Sequence, residues 1–355
     1  MVVHHRVRPR TLALAAALLL AACRAPAPPA RQAEPPRSQA VTSPQEQPVT
    51  TPPADVSHGE APIGGPQAEP APRLARLEPA ERTRLHKIRL EMKHEPVSIA
   101  PGVTYAAWTF GGTVPGPVLH VRHGDTVEFT LVNHANIPHS MDFHAAEIAP
   151  SKYYVNVMPG DSLHYRFVAH VPGAFMYHCG TAPVAMHIAN GMYGALIVDP
   201  ATPRPKAREL VFVQSEFYLT SKPAADGTVS LDWQKLLGQA PDHIVFNGRA
   251  GQYATHPIDV EPNELLRLYL VNAGPNRISS FHVVGGQFDT TYAEGAYLLR
   301  PGRSTARGGA QSLGLLAAQG GFVELAFPEP GDYPFVSHVM VDAERGARGL
   351  FRVTG

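Results

Sequence analysis

A segment that occurs twice along the chain constrains the fold more than any other feature of the sequence. Residues 121–133 and 260–272 each alternate apolar and polar side chains, and each ends in Leu-Val-Asn twelve residues after a valine. Alternation with period two is typical of half-buried β-strands. Two copies are too few for a solenoid and are typical of a duplicated Greek-key β-sandwich. The sequence therefore predicts an all-β chain with two tandem β-sandwich domains.

The remainder of the chain agrees with this fold class. Residues 163–167 and 323–327 also alternate, and the chain contains 36 Pro and 31 Gly but only 17% charged residues. This composition favours a turn-rich β body over long solvated helices. The helices that the sequence allows are short, such as Asp232–Leu237. We expect the two domains to span residues 85–200 and 208–355.

The N-terminus has the pattern of an export signal. Arg6, Arg8 and Arg10 precede an apolar run that ends in Leu-Ala-Ala-Cys23. This run is too short to span a membrane as a helix, and its end resembles a bacterial lipobox. We predict that residues 1–23 form a lipoprotein signal and that Cys23 carries a lipid anchor, on the periplasmic side or at the outer membrane. The alternative is an ordinary signal peptide in which Cys23 has no role.

The segment after the signal has the composition of a tether. Residues 24–73 contain 13 Pro and no aromatic residue, so they cannot bury enough apolar surface to fold. We predict a Pro-rich disordered tether over residues 24–84. The formal net charge of the whole chain is zero and no basic run occurs, which argues against nucleic acid as a partner.

One thiol remains for the folded body if Cys23 is lipidated. Cys179 is followed by His187 and Met192, and His139 precedes it. Two imidazoles, a thiolate and a thioether form the ligand set of a blue-copper electron-transfer centre, whereas zinc would prefer a set without the thioether. The alternative is a buried cysteine with chance neighbours.

Neighbouring residues indicate a second metal site. His139 and His144 are five residues apart and His178 is adjacent to Cys179, so in extended chain each pair points to opposite faces. We therefore expect His144 and His178 to share a different metal. Two imidazoles alone are too few protein ligands for that metal. The second sequence repeat offers His282 and His338, one as a further ligand and the other as a proton donor. Ordinary surface or buried histidines are the alternative.

These motifs together resemble the copper-containing nitrite reductase family, whose members are trimers of two cupredoxin domains. The resemblance covers residues 85–355 and rests on His-x2-Asp-x-His, His-Cys-x7-His-x4-Met, Ser-Ser-Phe-His-Val and Phe-Val-x-His. The short loop from Cys179 to His187 resembles the branch that includes outer-membrane lipoproteins. The resemblance implies type 1 copper ligands at His139, Cys179, His187 and Met192; type 2 copper ligands at His144, His178 and His338; an active-site carboxylate at Asp142 and imidazole at His282; and an aliphatic residue over the substrate at Val284.

The resemblance also implies a reaction and partners. The expected activity is one-electron reduction of nitrite to nitric oxide, with electrons that enter at type 1 copper and pass to type 2 copper. The expected assembly is a homotrimer with two coppers per subunit and type 2 copper at the subunit interface. A cupredoxin or c-type cytochrome is the expected electron donor.

The sequence departs from many family members on both sides of His144. Ser140-Met141 stands where Asn-Val is common, and residues 145–150 lack the usual Gly-rich run. These changes leave two alternatives open: a copper-binding electron-transfer lipoprotein without catalysis, and a multicopper-oxidase-like enzyme acting on another small substrate. A trinuclear laccase-type cluster is disfavoured because the chain has neither a His-x-His pair nor a His-Cys-His run.

Overall fold

The computed structural model describes residues 71–73, 75–300 and 309–355. The predicted signal with Cys23 and most of the predicted tether lie outside the described residues. Within the described part, no helix is long and apolar enough to cross a membrane.

The first half of the described chain consists of short strands with two small helices. In chain order these are β1 (Leu85–Ala100), β2 (Val103–Phe110), β3 (Leu119–Arg122), β4 (Thr126–Asn133), β5 (Asp142–Phe143), α1 (Pro150–Tyr153), β6 (Ser162–Val168), β7 (Gly173–His178), α2 (Val184–Ala189) and β8 (Tyr193–Asp199). Residues 118–133 alternate in one run, but a turn through Gly124, at φ +83°, divides them into β3 and β4.

The second half repeats this pattern with additional strands. Its elements are β9 (Arg208–Phe217), α3 (Trp233–Leu237), β10 (His243–Phe246), α4 (Gln252–Thr255), β11 (His256–Val260), β12 (Leu266–Gly274), β13 (Ser279–Val283), β14 (Thr290–Ala293), β15 (Ala296–Leu299), β16 (Leu313–Leu315), β17 (Gly320–Leu325), β18 (Gly331–Ser337), α5 (Met340–Glu344) and β19 (Arg348–Val353). The expected short helix is α3, and the carboxylate of Asp232 caps it by accepting the backbone N–H groups of Gln234 and Lys235.

The strand order shows that the sequence repeat is a structural repeat. The first half pairs β2-β1-β4-β6 in one sheet and β3-β8-β7-β5 in the other. The second half pairs β10-β9-β12-β17-β14-β15 and β11-β19-β18-β13-β16. Each half contains two parallel strand pairs at equivalent places. In the first half these are β1 with β4 and β3 with β8, and in the second half they are β9 with β12 and β11 with β19. The all-β fold class predicted from the sequence is confirmed.

Among the described residues, three large apolar cores lie between the sheets. One core fills the first sandwich and contains Phe129 and Tyr177, and another fills the second and contains Phe212 and Phe281. A third core joins β7 and β8 to β9, β12 and β17. β7 and β8 are therefore apolar on both faces, and the two halves share a continuous interior. The domain boundaries 85–200 and 208–355 stay a prediction, because the described residues after Gly59 form one compact unit.

The end of the predicted tether packs against both sandwiches, since residues 75–77 pair with β9 and the backbone N–H of Leu77 donates to the carbonyl of Glu209 at 3.0 Å. Leu77 and Ala80 are buried, and Arg122 donates hydrogen bonds to the carbonyl groups of Ala80 and Glu81 at 2.7 and 2.6 Å. A buried leucine and paired carbonyl groups offset the cost of ordering the chain. The described residues between 75 and 84 thus belong to the folded body rather than to a disordered segment.

Candidate copper centres

One cluster of ligand-type side chains lies at the end of β7. The Sγ atom of Cys179 is 3.2 Å from Nδ1 of His187 and 3.9 Å from Nδ1 of His139, and these two nitrogens are 3.0 Å apart. All three side chains are buried. A thiol and two imidazole nitrogens therefore point at one position in the interior.

The loop after α2 brings Met192 beside this cluster. His187 lies on α2, and Gly191, at φ +115°, reverses the chain immediately after the helix. A Cβ at Gly191 would lie 2.5 Å from Cγ2 of Val114, so only glycine fits here. Met192 is fully buried, and its carbonyl accepts the backbone N–H of Cys179 at 3.1 Å. The Met192 side chain is thus held in the interior, and its backbone is bonded to that of Cys179.

Ser140 fixes the surroundings of the thiol. Its backbone N–H points at Sγ of Cys179 at 3.3 Å, and its hydroxyl accepts the backbone N–H of Gly180 at 3.0 Å. The hydroxyl of Thr181 donates to the same Ser140 oxygen at 3.2 Å. Such second contacts orient a ligand and tune its electron density. Ser140, which departs from the common family residue, still makes a defined contact here.

Burial keeps both imidazoles of this cluster neutral. Burial, followed by the neighbouring imidazoles of His187 and His94, lowers the pKa of His139 to about 3. Burial, followed by His94, lowers the pKa of His187 to about 4. Metal ligation requires neutral imidazole. Neither imidazole therefore has to lose a proton before it binds a metal at neutral pH.

A second cluster lies on the other face of the same segment. Nε2 of His178 is 3.0 Å from Nε2 of His144 and 3.8 Å from a carboxylate oxygen of Asp142. Pairing of β5 with β7 sets this arrangement, since Asp142 lies opposite His178. The Nδ1–H of His178 donates to the carbonyl of Cys179 at 2.9 Å, which leaves Nε2 free to face His144. The side chain of His144 is exposed.

His282 and His338 form a separate pair on the surface of the second sandwich. Their ring centroids are 5.3 Å apart, and the backbone N–H of His338 donates to the carbonyl of Ser280 at 2.6 Å. The Nδ1–H of His282 donates to the carbonyl of Gln311 at 2.5 Å. Among the described residues of one chain, neither histidine joins the cluster of His144, His178 and Asp142. Val284 beside them is 47% exposed.

The donor set of each cluster fits copper. The first offers a thiolate and two imidazole nitrogens beside a thioether, which selects copper over zinc. The second offers two imidazoles and a nearby carboxylate, and its exposed side leaves room for a further ligand and a substrate.

Comparison with known proteins places the chain in a family. Residues 91–203 match the family model described as multicopper oxidase. A copper-containing nitrite reductase of Neisseria meningitidis serogroup B is 38% identical over 275 residues, which are 76% of this chain and 69% of that protein. A copper nitrite reductase from Nitrosomonas europaea superposes with a TM-score of 0.67 at 37% identity, covering 76% of this chain and 94% of that chain.

The chain belongs to the copper-containing nitrite reductase family. A second relative, from Alcaligenes xylosoxydans xylosoxydans, is 33% identical and covers 72% of this chain and 82% of its own length. A laccase from Botrytis aclada shares the fold alone, at 17% identity and a TM-score of 0.61. The family resemblance stated from the sequence is thereby confirmed.

The structure places the sequence-predicted residues of this nitrite reductase family member in three groups. It brings together Cys179 with its two partner histidines, and it brings together His178, His144 and Asp142. The third group, His282, His338 and Val284, lies on the surface. The individual roles of these residues stay predictions.

Sequence reasoning missed three residues around these groups. His94 and Trp108 contact His139, and the period-two pattern of β1 could have shown that His94 shares the inward face of Leu90 and Met92. The hydroxyl of Tyr154 donates to the carbonyl of Phe143 at 3.2 Å and also lies against the Asp142 carboxylate. Burial and then this carboxylate raise the pKa of Tyr154 to about 12.

Tyr154 lies shortly after the segment that departs from the common Gly-rich run. No local signal in the sequence relates it to Asp142, because the contact depends on how residues 145–153 fold back over β5. It gives the stretch that follows the altered segment a direct contact with Asp142 of the second cluster.

Proposed function

We propose that this protein is a copper-dependent nitrite reductase. It converts one nitrite, one electron and two protons into nitric oxide and water. The observation that carries this proposal is the arrangement of two metal-type clusters on opposite sides of the consecutive residues His178 and Cys179, in a chain of this family. A one-electron carrier and a substrate site are then joined by a single peptide unit.

Each cluster has a proposed copper and a proposed task. His139, Cys179, His187 and Met192 would hold type 1 copper, and His144 and His178 would hold type 2 copper together with His338 of a neighbouring copy. When bound, type 1 copper supplies a site that changes oxidation state with little rearrangement, and type 2 copper supplies a Lewis acid for nitrite. The reduction of one nitrite to nitric oxide requires one electron, which type 1 copper would supply.

The chain's own residues supply the protons. Asp142 is half-buried beside His178, so its carboxyl group, in the protonated form, can donate a hydrogen bond to a small anion at the second cluster. His282 has its Nδ1–H engaged by Gln311, which leaves Nε2 as the position that gains or loses a proton. Imidazole is the most common general acid or base in enzymes and suits proton delivery. Val284 would cover the substrate from the same neighbouring copy.

An interface between copies completes the second cluster in this proposal. A catalytic metal in a family of this kind needs a third protein ligand, and His338 is exposed at the surface of its own chain. Large apolar side chains near it are also exposed: Ile278 by 50%, Met340 by 51% and Val341 by 56%. Exposed apolar residues around a metal-type histidine support contact with another copy. We propose a homotrimer.

Mixing two inactive variants tests this interface. His144→Ala and His338→Ala each remove one ligand of the type 2 site. A trimer that contains both variants has one site with both histidines intact, because that site takes His144 and His338 from different copies. Nitrite reduction that reappears after co-refolding supports the interface. No recovery, with mixed trimers present, contradicts it.

Export and anchoring are part of the same proposal. Residues 1–23 would direct export, Cys23 would carry the lipid, and a small cupredoxin or c-type cytochrome would deliver electrons at the periplasmic side. Labelled fatty acid that enters the wild-type protein but not Cys23→Ser supports the anchor. Equal labelling of both contradicts it.

Release of nitric oxide tests the reaction itself. The copper-loaded full chain is reduced without oxygen by a dye, nitrite is added, and nitric oxide is followed with an electrode. We expect rapid release, and a 10²- to 10⁴-fold lower rate in Asp142→Asn with both coppers retained. A fully copper-loaded protein that releases no nitric oxide supports the electron-transfer lipoprotein instead.

A further inference from the structure

His94 contacts the first cluster from outside. It lies on β1 directly opposite Trp108 of β2, and the two rings stack with centroids 5.2 Å apart and planes 14° apart. Nε2 of His94 is 3.1 Å from Nε2 of His139. Trp108 also packs edge-on against His139 and His187, at 5.6 and 4.9 Å. A histidine on an aromatic platform thus touches one of the proposed ligands.

The two nitrogens of His139 have different surroundings. Nδ1 faces the thiol of Cys179 and Nδ1 of His187, on the side where the metal would bind. Nε2 faces His94. A neutral imidazole that offers Nδ1 to a metal carries its proton on Nε2. That proton then points at Nε2 of His94, which accepts it when the His94 proton is on Nδ1.

We propose that His94 is a positioning residue for type 1 copper. Its Nε2 accepts a hydrogen bond from the Nε2–H of the ligand His139. This proposal rests on the type 1 site proposed above and deepens it. The bond fixes the tautomer and the ring orientation of His139 and makes its Nδ1 a stronger donor. A stronger donor stabilises Cu(II) relative to Cu(I), so His94 lowers the reduction potential of the site.

Trp108 makes this contact rigid. Its ring covers one face of His94 and contacts both ligand imidazoles, so a shift of His94 would require a shift of the platform. The strand pairing of β1 and β2 fixes His94 and Trp108 relative to each other. The His94 ring is therefore already held in place, and little conformational entropy would be lost in forming the hydrogen bond to His139.

Two variants separate the hydrogen bond from the packing. His94→Phe keeps a ring on Trp108 and removes the acceptor, whereas His94→Gln keeps an acceptor of similar reach. The measurements on the copper-loaded full chain are the type 1 reduction potential, the visible spectrum and the electron paramagnetic resonance spectrum. We expect a roughly tenfold shift of the Cu(II)/Cu(I) ratio toward Cu(I) in His94→Phe, which is about 59 mV upward for one electron. His94→Gln should stay near the wild-type potential.

The possible outcomes distinguish a role of the His94 hydrogen bond from a role of ring packing alone. A higher potential in His94→Phe alone, or loss of type 1 copper from that variant alone, supports the hydrogen bond. Unchanged potentials in both variants, equal shifts in both, or loss of copper from both overturn it. Wild-type protein that shows no type 1 spectrum overturns the copper assignment itself and the role of His94 with it.

Discussion

Acid should destabilise the copper-free protein through the two buried imidazoles of the first cluster. The folded pKa is about 3 for His139 and about 4 for His187, whereas an unfolded histidine titrates at about 6.5. Below pH 6.5 the unfolded chain binds protons that these folded side chains do not bind. Their contribution to stability is therefore complete above pH 6.5 and is lost as the pH falls.

The size of this effect follows from the same values. Between pH 7 and pH 5 the unfolded state gains about 0.7 proton per histidine, while both folded side chains stay almost entirely neutral. Each histidine then lowers the free energy of unfolding by about 1.9 kcal/mol, and the pair by about 4 kcal/mol. Both side chains are buried, so solvent does not screen this effect.

Denaturant unfolding of the copper-free protein at pH 7 and at pH 5 measures this loss in the free energy of unfolding. His139→Gln should reduce the loss between the two pH values by about 2 kcal/mol, because one titrating group is gone. His170→Gln, which removes an exposed histidine, serves as the matched control and should leave the loss unchanged. An equal loss in wild type and His139→Gln refutes the argument that this imidazole is held neutral by burial.

Three further substitutions test other parts of the account. Gly191→Ala places a Cβ 2.5 Å from Val114 and should cost about 1–3 kcal/mol and change the visible spectrum; an unchanged spectrum and melting temperature contradict this. Arg277→Met leaves the buried carboxylate of Asp342 without its partner at 2.9 Å. We expect the free energy of unfolding to fall by about 2–3 kcal/mol, less than for a fully buried pair because Arg277 is partly exposed. An unchanged free energy of unfolding contradicts the pairing. Cys179→Ala should remove the intense visible absorption of the copper-loaded protein, and a colour that survives excludes Cys179 as the ligand.

Much of the fold was predictable because local patterns and the repeat agree. The alternation of apolar residues predicted strands around Phe129 and Leu268, and Asp232 marked the start of α3. These features depend on residues close in sequence. The strands β14, β15 and β16 have no counterpart in the first sandwich, so the repeat could not predict them.

The site was predictable where consecutive residues determine it. Cys179 and His178 must face opposite sides of an extended chain, and the structure brings them to two separate clusters. Contacts between distant strands were not predictable in the same way. His94 reaches His139 because β1 pairs with β4 as far as Met92 and Asn133, which brings the segment after β4 beside His94. Tyr154 reaches Asp142 only through a loop that folds back.

The tether shows the limit of composition as a guide. Its Pro-rich character extends to residue 73, but Leu77 is buried where residues 75–77 pair with β9, and Ala80 is buried where Arg122 binds its carbonyl group. Composition identifies a stretch that cannot form its own core. It does not show whether such a stretch packs onto a core that already exists.

The most direct test of the central claim follows the electron between the two proposed coppers. Type 1 copper is reduced without oxygen, nitrite is added, and the return of the type 1 colour is recorded with the nitric oxide released, in wild type and in His338→Ala. We predict that the wild type regains its colour with one nitric oxide per electron, whereas His338→Ala stays colourless. Equal reoxidation by nitrite in both proteins contradicts a substrate site that His338 completes.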